Sequence, residues 1–205
     1  MIKNFIFDFG NVLVDYNPMR CILKYVRNIS DANYIAAEVF SSPEWLELDK
    51  GNMSYEEAIG IWQSRVPERL KESVRTVVEN FHKYLPEIPE MTAIVKRLRN
   101  SGKKIYIISN VSERFSMIAE GIEVMNYVDG RVLSFEEHTI KPETEIFSRL
   151  LSRYSLTAEE CVFIDDSINN VRTAKKFGMG SYIYDGDSEK LEKTFEKLGF
   201  FQNIQ

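Results

Sequence analysis

The side chains best suited to chemistry in this chain stand in four short fragments, each directly after an apolar run or a turn. Carboxylates are unusual at the ends of apolar runs because they resist desolvation, so their repeated presence there indicates a purpose other than stability. The fragments and their polar residues are FDFGNVLVD with Asp8, IISN with Ser109 and Asn110, IKPE with Lys141, and FIDDSINN with Asp165 and Asp166.

Brought together, these side chains would form a site for a cation and an anion. Three carboxylates in one crevice repel each other unless a cation lies among them, and Mg²⁺ prefers a few carboxylates together with water and phosphate oxygens. Such an ion also lets a negative nucleophile approach a negative phosphate. Lys141 adds a fixed positive charge, and Ser109 and Asn110 add neutral donors. The set predicts a phosphate site in which charge stabilisation does most of the catalysis.

The apolar runs predict the elements that would hold this site. They are rich in Ile, Val, Phe and Tyr without polar alternation, which is typical of strands buried on both faces of a parallel sheet. Helical patterns separate them, so the fold class predicted is α/β, a Rossmann-like open parallel sheet covered by helices. Ligands bind such sheets at the carboxyl ends of the strands, where all four fragments would meet. The runs are Ile2–Phe7, Ile105–Ser109, Val162–Asp165 and Ser181–Tyr184, with a weaker one at Val132–Phe135.

One long stretch after the first strand shows helical patterning only. Asn17-Pro18 and Ser54 with Glu57 are helix-start signals within it. The run LPEIP then returns the chain to the sheet as a stiff connection. We therefore predict an α/β core domain of residues 1–14 and 87–205, with an inserted all-helical cap of residues 15–86.

The four fragments resemble, in order, the four motifs of the haloacid dehalogenase-like (HAD) hydrolases, and the helical insert lies where that family places a cap. The resemblance covers essentially the whole chain. It implies a Mg²⁺-dependent phosphatase with Asp8 as the nucleophile that forms an aspartyl-phosphate. It further implies that Asp166 binds the metal directly, Asp165 through water and Gly10 by its carbonyl, while Ser109, Lys141 and the backbone N–H of Asn110 hold the phosphoryl group.

The first motif departs from the family pattern at Gly10. The family usually carries a second Asp there, as the acid that protonates the leaving group and the base that activates water, and such a group is worth about 10²–10⁴ in rate. The loop DFGNVLVD is similar to the DLGNV loop of a bacterial subgroup that includes glucose-1-phosphate phosphatases, which implies that the glycine version is active. We expect rate to depend steeply on leaving-group pKa. A flat dependence would direct attention to Asp49, Lys50 and His138.

In the family's caps, a loop between helices dips toward the nucleophile and selects the substrate. Here the equivalent segment is predicted at Glu47–Asn52, with Trp45, Asp49 and Lys50 as candidate substrate contacts. Arg20 is a further candidate, because a guanidinium pairs well with substrate oxygens. The substrate expected is a small phosphorylated metabolite, with a sugar phosphate as the example that the resemblance implies.

Other residues have plainer interpretations. His82 and His138 have no ligand or nucleophile partner in the pattern and are interpreted as surface or helix residues. Asn169 and Asn170 are interpreted as holding the loop after the fourth strand, and Thr157 with Glu160 as a capping box. Two rival functions stay open. One is a haloacid dehalogenase on the same fold, and the other is a catalytically weak phosphate-binding or regulatory protein.

Composition excludes some classes of partner. The net charge of −5 and the pI of about 5.3 argue against nucleic acid and anionic membranes, which select basic faces. No signal peptide is visible, and no apolar run approaches the roughly 18 residues of a spanning helix. The unlinked thiols Cys21 and Cys161 fit a reducing cytosol, so a cytoplasmic location is expected. Oligomeric state is not readable from the sequence.

Overall fold

A parallel sheet of five strands, in the order β3-β2-β1-β4-β5, forms the centre of the fold in the computed structural model, which describes residues 1–201. Every neighbouring pair of strands is parallel. The prediction of an open α/β sheet is confirmed, including the weaker strand before Lys141. The strands are β1 Asn4–Phe7, β2 Lys104–Ser109, β3 Gly130–Leu133, β4 Cys161–Asp165 and β5 Gly180–Ile183.

Both faces of the central strand are covered, which explains its uninterrupted apolar sequence. Phe5 and Phe7 pack into a core on one face, while Ile6 belongs to a second core on the other face. Helices α6 and α11 supply the first core and helices α9 and α10 supply the second. Their bounds are α6 Pro89–Asn100, α7 Phe115–Ala119, α8 Ser134–Glu137, α9 Thr144–Arg153, α10 Ile168–Lys176 and α11 Ser188–Lys197.

The insert between β1 and α6 is helical, as predicted. The side chain of Asn17 caps the first helix, and Ser54 with Glu57 forms the predicted capping box at the start of α4. The loop predicted at Glu47–Asn52 is wrong in its first half, because Ser42 and Pro43 start a helix that continues through Asp49. The helices are α1 Pro18–Tyr25, α2 Ile29–Ile35, continued by a π-helical turn at Ala36–Phe40, α3 Pro43–Asp49, α4 Tyr55–Arg65 and α5 Lys71–Asn80.

An antiparallel β-bridge between Val14 and Glu87 joins the two ends of the insert. Asp15 donates its backbone N–H to Pro86, and Ile88 donates to Leu13, each at 2.9 Å. The chain therefore leaves and re-enters the α/β part at one place. The division into a core of residues 1–14 and 87–205 and a cap of residues 15–86 stays a proposal, and residues 202–205 of that core lie outside the described part of the chain.

Some smaller expectations change. Thr157 makes no side-chain cap, because only a three-residue 3₁₀ turn, Ala158–Glu160, follows it.

Cys21 and Cys161 are buried free thiols, and burial raises the pKa of each to about 11, so both stay protonated. Within residues 1–201, no helix combines the length and the hydropathy needed to cross a bilayer.

Candidate active site

Three aspartates converge at the carboxyl edge of the sheet. Asp8 directly follows β1, Asp165 ends β4 and Asp166 follows it, and β1 and β4 are neighbouring strands. Carboxylate oxygens of the three residues lie within 4.8 Å of one another. Oxygen donors at this spacing are what a hard divalent cation such as Mg²⁺ requires, so the residues present fit the ion that the sequence predicted.

Lys141 lies between two of these carboxylates. It is 3% exposed, and its Nζ is 2.7 Å from Oδ1 of Asp8 and 2.7 Å from Oδ2 of Asp165. Burial acts to lower the pKa of Lys141, but the two carboxylates outweigh this effect and raise it, so the ammonium stays charged. Burial raises the pKa of Asp8 to about 7, although the charge of Lys141 opposes the rise.

The paired acids have different surroundings. Asp165 is fully buried and accepts hydrogen bonds from Lys141, from the Ser167 backbone N–H at 2.8 Å, and from Nδ2 of Asn170 at 2.9 and 3.1 Å. Asp166 is exposed and accepts one hydrogen bond, from Nδ2 of Asn11 at 2.9 Å. Asp166 therefore has more oxygen lone pairs free for a ligand than Asp165 has.

Asn110 positions Lys141 rather than offering its own side chain to a ligand. Its Oδ1 accepts from the backbone N–H of Lys141 at 2.7 Å, and its Nδ2 donates to the Lys141 carbonyl at 2.9 Å. Both ends of the side-chain amide are thus engaged with the backbone of Lys141, and the backbone N–H of Asn110 remains the predicted donor to phosphate. Ser109 is 1% exposed and lines the cavity described below, and its hydroxyl has no hydrogen-bond partner within residues 1–201.

The aspartate cluster opens into a cavity of about 190 Å³ between the sheet edge and the helical insert. Ten of the 22 lining residues are apolar or aromatic, apolar atoms form most of the wall surface, and part of the wall comes from the insert. The apolar and aromatic lining residues are Phe9, Val14, Tyr16, Trp45, Tyr55, Val78, Phe81, Leu85, Val111 and Ile118.

Gly10 lines the same cavity and has no side chain. A Cβ placed there would lie 3.7 Å from Cβ of Tyr16, an ordinary contact distance, and the backbone is not in the left-handed region. Local geometry therefore permits a side chain at this position, and Tyr16 occupies the space beyond it.

The predicted contacts from the insert divide into two pairs. Trp45 and Asp49 line the cavity, whereas Lys50 and Arg20 are not among its lining residues, so a substrate contact at Lys50 or Arg20 stays a prediction. Lys50 points to the α/β part, where its Nζ is 3.6 Å from Glu143. Arg20 is bound to the side chain of Asp15 and to the carbonyl of Tyr84, where the insert joins the sheet.

Asp49 is the carboxyl group that the insert contributes to the cavity. It is half-buried, and it has no hydrogen bond or ion pair with any residue that the structure describes. Burial, and secondarily the charge of Asp8, raises the pKa of Asp49 to about 7. A carboxyl group left unpaired in an apolar wall costs stability, so its presence indicates a functional role.

Arg114, Tyr55 and Ser112 also line the cavity, and the sequence analysis did not predict them. The guanidinium of Arg114 lies 3.6 Å from the ring centre of Tyr55 and donates to the Val78 carbonyl at 2.6 Å. The Tyr55 hydroxyl is 2.5 Å from the Ser112 hydroxyl. Both contacts join the insert to the loop after β2, directly over the cavity. No sequence motif marks these residues, because their proximity depends on how the insert packs.

His82 lies in the 3₁₀-helical turn Phe81–Tyr84, which agrees with its interpretation as a surface or helix residue, and it is also part of the cavity wall. Its ring is half-buried, and its Nδ1 is buried without a hydrogen-bond partner in residues 1–201. Burial lowers its pKa, with the charges of Arg114 and Lys83 acting in the same direction, so the ring is neutral near pH 7. His138 is exposed and bonds to the Lys50 carbonyl at 3.0 Å.

Comparison with known sequences gives one family and several relatives. The sequence model described as haloacid dehalogenase-like hydrolase matches residues 2–178. The chain is 25% identical over 192 residues to the sesquiterpene phosphatase astK of Aspergillus oryzae, covering 93% of this chain and 94% of that protein. It is also 25% identical over 196 residues to the D-ribitol-5-phosphate phosphatase of Bacteroides thetaiotaomicron, covering 89% and 91%.

Solved structures share the fold. A HAD family enzyme from Bacteroides thetaiotaomicron, in complex with magnesium and inorganic phosphate, superposes with a TM-score of 0.73 at 22% identity, covering 93% of this chain and 99% of that one. The L-2-haloacid dehalogenase of Xanthobacter autotrophicus gives a TM-score of 0.63 at 17% identity, covering 88% and 76%. At these identities the similarity demonstrates a common fold, which both an enzyme that holds magnesium and phosphate and a dehalogenase adopt.

Proposed function

The chain belongs to the haloacid dehalogenase-like hydrolases, and from this premise we propose that it is a Mg²⁺-dependent phosphatase that hydrolyses a small phosphomonoester through a phosphoryl group on Asp8. The observation that carries the proposal is the buried Lys141, which is held between Asp8 and Asp165 and lines the cavity between the sheet edge and the insert. Two relatives named as phosphatases, and a shared fold with an enzyme that holds magnesium and phosphate, support it.

The residues divide the work by their surroundings. Asp8 attacks phosphorus, because its carboxylate faces the cavity while Lys141 and the Phe9 backbone N–H, 2.6 Å away, fix its orientation. Lys141 and the Ser109 hydroxyl hold the phosphoryl oxygens and offset charge that develops in the transition state. Asn110 keeps Lys141 in place and adds a backbone N–H donor.

Asp8, Asp166 and the carbonyl of Gly10 would hold Mg²⁺ directly, with Asp165 behind a water molecule. The bound ion would neutralise phosphate charge that otherwise repels the nucleophile. The hydrogen bonds support this division, since Asp165 already accepts from Lys141, Ser167 and Asn170, whereas Asp166 accepts only from Asn11 within residues 1–201.

Asp166→Asn is therefore expected to weaken Mg²⁺ binding more than Asp165→Asn does. Loss of a group behind the direct ligands typically costs about 10–100-fold in metal affinity, and loss of a direct ligand should cost more. Mg²⁺ titrations of activity and of calorimetric heat would measure both variants. Circular dichroism must first show that each variant is folded, because Asp165 is also a buried partner of Lys141. Equal or inverted affinities would contradict the assignment.

The cavity favours one substrate class over another. A sugar phosphate is the substrate that the sequence resemblance implies, and the relative that acts on D-ribitol 5-phosphate supports it. The wall surface, however, consists mostly of apolar atoms, and among residues 1–201 the insert adds chiefly the carboxyl of Asp49 and the imidazole of His82 as free polar partners for substrate hydroxyl groups. An apolar cavity of about 150 Å³ binds benzene, so about 190 Å³ suits a phosphate with a compact apolar alcohol. We propose that the substrate is a monoester of this second class.

Cyclohexyl phosphate and inositol 1-phosphate form a matched pair for this question, because they share a cyclohexane ring and differ in their hydroxyl groups, and glucose 1-phosphate is measured beside them as a sugar phosphate. We expect kcat/KM to be at least about tenfold higher for cyclohexyl phosphate, since each buried hydroxyl without a partner costs about 1–3 kcal/mol. Phosphate release under Mg²⁺ would be measured for both, together with D-ribitol 5-phosphate and a prenyl monophosphate. A clear preference for the polyol esters would instead support the sugar-phosphate class.

The same assay separates the rival functions. Halide release from 2-chloropropionate, without phosphate release from any ester, would indicate a dehalogenase. Phosphate binding without turnover of 4-nitrophenyl phosphate, whose leaving group departs without a proton, would indicate a binding or regulatory protein.

A further inference from the structure

Hydrolysis of an alkyl phosphate requires a proton for the leaving oxygen. Gly10, which stands at the position where the family usually has an acid, has no side chain to supply it. An alkyl alcohol leaves poorly as its alkoxide, so the leaving oxygen needs an acid, and Gly10 has none. In phosphoryl transfer the attacking and leaving oxygens lie roughly in line through phosphorus. With Asp8 attacking from the sheet edge, the leaving oxygen points away from it, into the cavity and toward the helical insert.

Among residues 1–201, only three carboxyl groups line the cavity, namely Asp8, Asp49 and Asp166. Asp8 is the nucleophile, and Asp166 lies beside it in the aspartate cluster, where it accepts a hydrogen bond from Asn11. Asp49 is different, because it ends α3 in the insert and so approaches from the side where the leaving oxygen would lie.

The segment after Asp49 is fixed against the α/β part of the chain. The Lys50 carbonyl bonds to His138 at 3.0 Å, and a Cβ at Gly51, where φ is +68°, would lie 2.4 Å from the Phe135 carbonyl oxygen. Only glycine permits such a close approach. These contacts hold the end of α3 beside the cavity. They also bind Lys50 and His138 to each other, and neither residue lines the cavity.

We propose that Asp49 is the acid and base of the reaction, in place of the side chain that Gly10 lacks. The inference rests on the proposed phosphatase function. When Oδ of Asp8 bonds to phosphorus and the ester P–O bond breaks, the electron pair stays on the leaving oxygen, which takes the proton from Asp49. Water then enters the vacated position and gives a proton to Asp49 as its oxygen bonds to phosphorus. The P–O bond to Asp8 breaks and releases inorganic phosphate. Asp8 is again a carboxylate, and Asp49 is again protonated.

The surroundings of Asp49 suit this role better than those of its neighbours. Its carboxyl has no partner in the described chain, and burial raises its pKa to about 7, so both protonation states are populated near neutrality. Tyr55 is a weaker acid, because burial raises its pKa to about 12, and its hydroxyl is bound to Ser112. His82 is neutral and therefore a poor proton donor.

The test compares Asp49→Asn with the wild-type protein on 4-nitrophenyl phosphate and on alkyl phosphates, by single-turnover kinetics with Mg²⁺. We expect the variant to lose about 10²–10³-fold in rate on alkyl esters and less than about fivefold on the aryl ester, whose leaving group needs no proton. The wild-type rate should depend only weakly on leaving-group pKa, and the dependence should become steep in the variant. This revises the steep wild-type dependence expected from Gly10 alone.

Glu47→Gln is the matched control, because Glu47 is on the same helix but is bound to Asn52 and does not line the cavity. It should leave both rates unchanged. Thermal unfolding of Asp49→Asn should show no loss of stability, because the carboxyl it removes is unpaired.

Three outcomes would overturn the assignment of Asp49. Equal losses on aryl and alkyl esters would mean that Asp49 only shapes the cavity, and unchanged alkyl rates would mean that it is not needed. An alkyl-selective loss in His82→Asn, but not in Asp49→Asn, would assign the role to His82. A wild-type protein inactive on every ester, including the aryl one, would overturn the phosphatase function itself and this inference with it.

Discussion

Asp8→Asn is expected to lower turnover by about 10³-fold or more on every phosphate ester, as removal of a nucleophile typically does. The amide is nearly the same size as the carboxylate but cannot attack phosphorus. The fold should survive, because Lys141 keeps Asp165 as its partner at 2.7 Å and an amide oxygen can still accept from the Phe9 N–H. Rates of phosphate release and thermal unfolding would be measured together.

Asp185→Asn gives a matched control for that result. Asp185 also lies just beyond the carboxyl end of a parallel strand, but it pairs with Lys190 and does not line the cavity. Its variant should keep full activity. A further check is acid-trapped protein after brief exposure to labelled substrate, since label should stay on wild-type protein and be absent from Asp8→Asn. Activity above a few per cent of wild type in Asp8→Asn would remove Asp8 from the nucleophile role.

Lys141→Met is expected to destabilise the fold as well as abolish activity. It leaves Asp8 and Asp165 close together in a buried site without their common cation. Breaking a buried pair in this way typically costs about 3–5 kcal/mol, which for a chain of this size lowers Tm by roughly 6–20 °C. Urea unfolding in EDTA, followed by circular dichroism, would measure the free energy of unfolding without a contribution from bound metal.

The exposed pair of Lys190 with Asp185 provides the comparison. Both side chains are about half exposed, and exposed pairs are worth about 0–1 kcal/mol, so Lys190→Met should change the free energy of unfolding by less than about 1 kcal/mol. Similar small effects for Lys141→Met and Lys190→Met would show that Lys141 is not needed to compensate the buried carboxylates.

Much of the scaffold was readable from local sequence patterns. The run ending at Phe7 is apolar throughout because both faces of β1 are covered, and that pattern needs no tertiary information to recognise. The convergence of Asp8 and Asp165 followed in the same way, since neighbouring parallel strands end at one edge. The capping box at Ser54 was predictable because its hydrogen bonds join residues three apart.

The details of the site depend on contacts between distant segments. Asn110 was predicted to bind phosphate through its backbone N–H, but nothing in the sequence indicated that its side chain would hold the backbone of Lys141, 31 residues later. His82 and Arg114 belong to different parts of the chain and line one cavity only because the insert packs over the sheet edge. Nothing in their local sequence distinguishes them from solvated residues.

Asp49 and Lys50 show most clearly what could not be predicted from the sequence. Both were candidates from the same segment, which the sequence analysis predicted as a loop between helices of the insert and which the structure shows to begin as the end of α3. Successive residues at a helix end point about 100° apart, so one side chain can face the cavity only if its neighbour turns away. Packing of that segment on Phe135 and His138 sets the choice, directing Asp49 to the cavity and Lys50 to Glu143. The sequence thus determined the residue types of the candidate site and the sheet edge at which they gather, and the tertiary structure decided which residue of the insert reaches them.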